Sequence, residues 1–253
     1  MLFLNILCAI LCAVLGLFMI YILFLFVCSL LVDQTKEYEN DSPFYRAVLH
    51  GSTAVALFIL RVKVHTVGME KVPTDIKPLF AGNHRSNYDP LIEWQVFRKW
   101  DPSFVSKKAN FRVPFFGQII RRCCFLPIDR KNPRNAINTI NKAAKLLERQ
   151  EVSIGIYPEG TRSKSDKLLP FHKGVFKIAQ KSKRPIVVMA IAGTERIYRR
   201  APFRRSDVTI TIADVIPAEN VVQMSTEEIS ERVRAALENA LKEKKNEQDL
   251  HTV

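Results

Sequence analysis

The apolar positions of the chain form one long unbroken block followed by short runs at intervals. Across residues 2–32 almost every side chain is apolar, and no charged one occurs before Asp33. As a helix rising about 1.5 Å per residue this block is roughly 46 Å long, more than the ~30 Å hydrocarbon core of a bilayer. It predicts an N-terminal apolar membrane helix. No Lys or Arg precedes it and no small-x-small site stands before Asp33, so an anchor is expected rather than a cleaved signal peptide. A second apolar stretch, residues 47–60, is bracketed by Arg46 and Arg61 and interrupted by His50, Gly51 and Ser52. It is too short and polar to span, and predicts an interfacial or re-entrant helix, with a core helix as the alternative.

Beyond it, apolar runs of strand length recur at 61–67, 78–82, 104–106, 125–128, 152–157, 185–192 and 208–215. Helical patterns lie between several of them. Over 133–150, Asn132 suits the cap, Pro133 the first turn, and Ile137, Ile140, Ala144 and Leu147 share one face. Ser225 and Glu228 form a capping-box pattern before Ile229, Val233, Ala236, Leu237, Ala240 and Leu241 at helical spacing. This alternation predicts an α/β sheet with helices packed on it. The expected layout is membrane-anchoring helices over 1–60, one catalytic domain over 61–241, and a frayed polar tail over 242–253.

Charge sharpens the picture. The formal net charge of +13 lies entirely within residues 33–253. Anionic partners are implied: nucleic acid, acidic lipid head groups, phosphorylated metabolites or an acidic carrier protein. The five cysteines form no disulfide framework or C-x-x-C pair, since Cys8, Cys12 and Cys28 lie in the apolar N-terminus and Cys123 and Cys124 are adjacent. A packing role for all five, and a reducing, cytoplasmic setting for the soluble part, is the simpler reading.

Two polar constellations follow apolar strands, where sheet proteins commonly place their sites. Asn83-His84-Arg85-Ser86-Asn87-Tyr88-Asp89 sets an imidazole five residues from a carboxylate, a base with a partner to fix its tautomer. Pro158-Glu159-Gly160-Thr161-Arg162 offers a close backbone approach at Gly160, a hydroxyl at Thr161 and a planar fork for phosphate at Arg162. Glu159 either holds that arginine or accepts a substrate hydroxyl. Either motif alone could be a solvated loop; together they suggest one cleft.

These two motifs resemble those of the glycerolipid acyltransferases, in particular the bacterial-type 1-acylglycerol-3-phosphate acyltransferases, over residues 61–218. Both match in full. Phe125-Leu126-Pro127-Ile128-Asp129-Arg130 resembles another family block, with Cys124 where glycine is usual. Pro185-Ile186-Val187-Val188 resembles a fourth, with Val188 where a second proline is common. The resemblance implies a mixed sheet flanked by helices, preceded by the membrane helix and the interfacial one. It further implies that His84, oriented by Asp89, deprotonates the free sn-2 hydroxyl of lysophosphatidic acid, which attacks an acyl-CoA or acyl carrier protein thioester without an acyl-enzyme. Arg162 and Lys107 would hold the phosphate and Arg130 the glycerophosphate. Glu159, Gly160 and Thr161 would complete the substrate loop, with Asn83 and Ser86 in support.

No metal or cofactor is implied beyond the thioester co-substrate, and no nucleic acid partner. The catalytic domain is expected on the cytoplasmic face of a bacterial cell membrane, where the basic surface at Lys107, Lys108, Arg112, Arg121 and Arg122 would attract anionic head groups. The rivals are acylation of another lysophospholipid; a hydrolase or thioesterase using Ser86, which lacks a Gly-x-Ser-x-Gly elbow; and a basic nucleic-acid tether, for which no helix-turn-helix, zinc-finger or RNA-binding motif is present. A zinc site from His84, His172, Asp89 and Glu159 matches no metal-ligand spacing.

Overall fold

A computed structural model describes residues 1–129 and 132–250. In chain order the elements are α1 (Leu2–Leu30), α2 (Pro43–Ile59), β1 (Val62–Val67), β2 (Leu79–Gly82), α3 (Asp89–Val96), β3 (Pro102–Lys107), α4 (Phe116–Arg122), β4 (Leu126–Ile128), α5 (Pro133–Glu148), β5 (Ser153–Ile156), α6 (Lys177–Ser182), β6 (Ile186–Ala192), α7 (Ile197–Arg200), β7 (Ser206–Ile216), α8 (Ala218–Gln223) and α9 (Thr226–Leu250). Each predicted strand is present. They form one seven-stranded sheet in the order β1-β7-β6-β2-β5-β3-β4. Pairing is parallel except between β6 and β7, so the sheet is mixed, with β1 and β7 running against the rest.

Strand periodicity sends alternate residues into two cores, which is why both faces must be covered by helices. Leu79 and Ala81 of β2, with Ile186 and Val188 of β6, pack against Leu147 of α5, Ile178 of α6 and Val233 of α9. Phe80, Val187, Met189 and Ile191 face the other way, toward Phe97, Trp100 and Leu57 of α2. Burying each Val, Leu, Ile, Met or Phe among them contributes about 1.5–3 kcal/mol.

Helix starts follow their caps. The Asn132 side chain accepts the Asn135 N–H at 3.2 Å, and Ser225 and Glu228 exchange reciprocal bonds, Ser225 N–H to Glu228 at 2.7 Å and Glu228 N–H to Ser225 Oγ at 3.2 Å. Two details differ from the sequence reading. Ile137 is exposed, and the buried stripe of α5 is Ile140, Ala143, Ala144 and Leu147. The expected frayed tail from Lys242 is instead helix, and α9 runs to Leu250. Its Lys, Glu and Gln residues are good helix formers that extend an already nucleated helix without needing an apolar face.

Among the described residues α1 alone is long and apolar enough to cross a membrane, and the apolar window that qualifies it is wholly exposed. Its last turns meet the globular body, with the Phe26 ring edge-on to Phe115 at 6.3 Å and Cys28 buried. Cys8 and Cys12 are exposed, so the packing role expected for all five cysteines holds only for Cys28, Cys123 and Cys124; all five are free thiols. Along α2, Tyr45, Leu49 and Leu57 are buried while Phe44, Val55, Phe58 and Ile59 are exposed. Arg46 is turned inward rather than marking a polar boundary. Its guanidinium donates to both Asp41 oxygens at 2.6 and 2.8 Å and to the Pro102 carbonyl at 3.0 Å, and lies 4.7 Å over the Trp94 ring. Cys124, at the usual glycine position, adopts φ +57, the left-handed conformation that costs a non-glycine residue about 1–2 kcal/mol.

Candidate active site

Both motifs stand at carboxyl ends of adjacent strands, because β2 lies between β5 and β6 and runs parallel to each. Asn83, wholly buried, locks the first turn after β2. Its side-chain amide donates to the Ile191 carbonyl at 3.0 Å and its carbonyl oxygen accepts the Ile191 N–H at 2.8 Å, tying the loop to β6.

His84 then meets Asp89, the first residue of α3. Imidazole Nδ1 lies 2.7 Å from Asp89 Oδ2, an oxygen that also accepts the N–H groups of Arg85 and Ser86, each at 2.7 Å. Asp89 is fully buried while the His84 side chain keeps 17 % of its exposure. With Nδ1 held at that oxygen, the other ring nitrogen, Nε2, is the one without a protein partner among the described residues. The Tyr157 ring lies flat on the imidazole, centroids 4.2 Å apart and planes 14° apart. Its hydroxyl donates to Glu93 at 2.8 Å. Burial and the Asp89 charge hold the Glu93 carboxyl well above the usual carboxylate range.

The second motif is a tight turn, with Gly160 N–H bonded to the Tyr157 carbonyl at 2.9 Å; proline second and glycine fourth suit it. Glu159 neither holds Arg162 nor lines the cavity into which His84 opens. It is buried, and its two carboxylate oxygens accept the N–H groups of His84 and Leu169, both at 2.8 Å. This corrects the substrate-binding role expected for it, since a carboxylate drawn inward by backbone donors fastens one motif to the other. The Ser163 N–H completes the link, donating to the His84 carbonyl at 2.8 Å. Gly160 has φ +67, and a Cβ there would stand 2.7 Å from the His172 ring. Gly160→Ala is therefore expected to lower stability by about 2 kcal/mol and the thermal midpoint by about 4–8 °C. A melting curve unchanged by the substitution would show that the turn relaxes freely.

His84 opens into a cavity of about 470 Å³ whose walls include Leu49, Leu91, Trp94, Phe104, Phe116 and Phe125, with Lys107, Thr161 and Arg162 also lining it. Thr161 and Arg162 also line a second, polar cavity of about 520 Å³ with Arg85, Lys164 and Arg199. Among the described residues nothing engages the guanidinium of Arg162 or the ammonium of Lys107 through a hydrogen bond or ion pair. Their neighbours are committed: Lys108 pairs with Asp129 at 2.9 Å, Arg121 lies 5.2 Å over Phe111, and Arg122 lies 4.2 Å over Tyr38. His50, 4.6 Å from Trp94 centroid to centroid, is pushed down to about 4 by burial and by Arg46 and Arg98, and the α2 residues that line the cavity, Leu49 and Thr53, carry no charge. Arg130 lies outside the described residues.

Ser86 is buried and its Oγ accepts the Tyr88 N–H at 3.3 Å, a turn-forming contact away from the imidazole nitrogens. Among the described residues no three His, Cys, Asp or Glu side chains could together hold a metal ion. Sequence reasoning missed Glu93 and Tyr157. The one available signal was a carboxylate flanked by Ile92 and Trp94 in an apolar helix, four residues after Asp89.

The protein-family model described as Acyltransferase matches residues 62–192. The 1-acyl-sn-glycerol-3-phosphate acyltransferase of Limnanthes douglasii is 30% identical over 184 residues, covering 71% of this chain and 63% of that protein. The enzyme of the same name from Saccharomyces cerevisiae is 30% identical over 194 residues, 75% of this chain and 63% of its own, and that of Escherichia coli 29% over 163 residues, 63% and 65%. The chain thus spans under two thirds of the length of these relatives. The crystal structure of the 1-acyl-sn-glycerophosphate (LPA) acyltransferase PlsC from Thermotoga maritima shares the fold, with a TM-score of 0.69 at 22% identity over 89% of each chain.

Proposed function

The chain belongs to the acyltransferase family, and from that premise we propose that it transfers a fatty acyl chain from a thioester to the sn-2 hydroxyl of lysophosphatidic acid, giving phosphatidic acid. The observation that carries this reading is the meeting of three features at one cavity: an imidazole whose Nδ1 is bound to a buried carboxylate, apolar walls, and two cations that pair with nothing among the described residues. In the proposed reaction, Nε2 takes the proton of the acceptor hydroxyl as its oxygen attacks the thioester carbonyl. The tetrahedral intermediate collapses to the ester and expels the thiolate, which recovers the proton from the imidazolium. Asp89 keeps its charge throughout and stabilises the imidazolium between the two transfers, as the buried aspartate does in hydrolase triads. Arg162 and Lys107 hold the phosphate, and the aromatic walls receive an acyl chain.

Helix α1 anchors this reaction where its lipid substrate lies, with α2 resting its exposed apolar face at the interface and the catalytic domain on the cytoplasmic side. An acceptor and donor screen tests the reading. Lysophosphatidic acid should outcompete glycerol 3-phosphate and phosphate-blocked lysophospholipids by at least tenfold in kcat/KM, and comparison of acyl-CoA with acyl carrier protein thioesters identifies the donor. Equal use of acceptors with and without a free phosphomonoester would overturn the assignment.

A further inference from the structure

Two buried carboxylate oxygens near the base have no hydrogen-bond partner among the described residues: Asp89 Oδ1 and Glu93 Oε1. Their side chains lie one turn apart on α3, the spacing at which helical neighbours meet. Two ionised carboxylates so placed, away from water, would repel; one shared proton converts the repulsion into an O–H···O⁻ hydrogen bond. The donor sets decide where that proton resides. Asp89 accepts three donors, from Arg85, Ser86 and His84. Among the described residues Glu93 accepts only the Tyr157 hydroxyl, so its charge is the worse compensated.

These contacts close a ring. His84 bonds Asp89, Asp89 stands one helical turn from Glu93, Glu93 holds the Tyr157 hydroxyl, and the Tyr157 ring lies flat on His84. We propose that Glu93 is a positioning residue which, as a neutral carboxylic acid, shares its proton with Asp89 and clamps Tyr157 against the imidazole. Asp89 then carries the single negative charge behind His84, and the clamped ring fixes the plane in which Nε2 points into the cavity. The inference rests on His84 as the base but concerns a different residue and a different proton. Titratable or charged groups on the surrounding elements are Asp89, His84, Tyr157, Arg46 and His50 of α2, and Lys107 of β3.

Three variants and two readouts test it. Glu93→Leu should lower kcat at least tenfold with KM for both substrates within about twofold, because Glu93 touches neither. Glu93→Gln, which can accept from Tyr157 and donate to Asp89, should restore kcat to within about threefold of the parent. Tyr157→Phe keeps the stacked ring but loses the clamp, and should fall between them. The second readout needs no substrate. An acid kept protonated by the fold favours folding fully below its unfolded value, near 4.5, and that contribution is lost as pH rises through the higher folded value. The thermal midpoint of Glu93→Gln should therefore gain on the parent by roughly 3–5 °C per pH unit above that point. Parental kcat in Glu93→Leu, a Glu93→Gln as impaired as the leucine variant, or a midpoint difference flat between pH 5 and 8 would each overturn the proposal. Should Glu93→Leu fail to fold, Glu93→Gln still decides through both readouts. A parent enzyme inactive with every acceptor would instead refute the proposed reaction and leave the pH-dependent melt to report on Glu93.

Discussion

His84→Ala is expected to reduce acyl transfer by about 10²–10⁴-fold, the contribution of a well-placed general base, or about 3–5 kcal/mol of barrier. The loss should fall on kcat, because the imidazole acts as the hydroxyl proton moves rather than when the acceptor docks. Folding should survive. The backbone of residue 84, not its ring, makes the bonds to Glu159 and Ser163 that join the two motifs. Membrane association should survive too, since it rests on α1. Asp89→Asn should cost a comparable factor in rate but also lower stability, because its side chain carries the turn as well as the base: the Arg85 and Ser86 N–H groups lose a charged acceptor, and hydrogen bonds to charged groups contribute about 1.5–3 kcal/mol each. Near-normal turnover by His84→Ala would sink the mechanism.

The contrast between these variants shows what a linear sequence displays. The meeting of His84 and Asp89 was legible because imidazole and carboxylate sit five residues apart on one loop after an apolar run, so both partners lie in a single window. The strands were legible for a similar reason, each being a short apolar run. Their order was not, since nothing local tells β7 to turn against β6 and insert beside β1. Glu159 lies in the loop its motif marks but serves another duty there. Its chemistry suits an arginine partner, but only the fold reveals two backbone N–H groups, one from a residue 75 positions away, that draw it inward. Arg46 was hidden likewise, because its carbonyl partner Pro102 is 56 positions distant. Glu93 left a faint mark, a carboxylate in an apolar stretch, yet its meaning depends on Tyr157, 64 positions on. Pairings local in sequence were readable; those made by the sheet bringing strand ends together were not.

Arg162→Ala should raise KM for the phosphorylated acceptor about 10–100-fold with little change in kcat, the loss of roughly 1.5–3 kcal/mol expected for charge-assisted hydrogen bonds. The side chain is exposed and has no protein partner among the described residues, so stability should stay within about 0.5 kcal/mol of the parent. That silence in the fold makes the kinetic effect interpretable. Arg162→Lys should recover only part of the affinity, because an ammonium keeps the charge but loses the planar fork that grips two phosphate oxygens. Lys107→Ala, from the end of β3 across the cavity, should cost less, and the double variant should lose less than the sum if both cations grip one phosphate. Raising the salt concentration should weaken the parent more than Arg162→Ala, as screening acts on the charge the variant lacks. An acceptor without phosphate supplies the control: parent and Arg162→Ala should use it equally poorly. An unchanged KM for the phosphorylated acceptor would remove Arg162 from the phosphate site and leave the paired cavities at the mouth without their common anion.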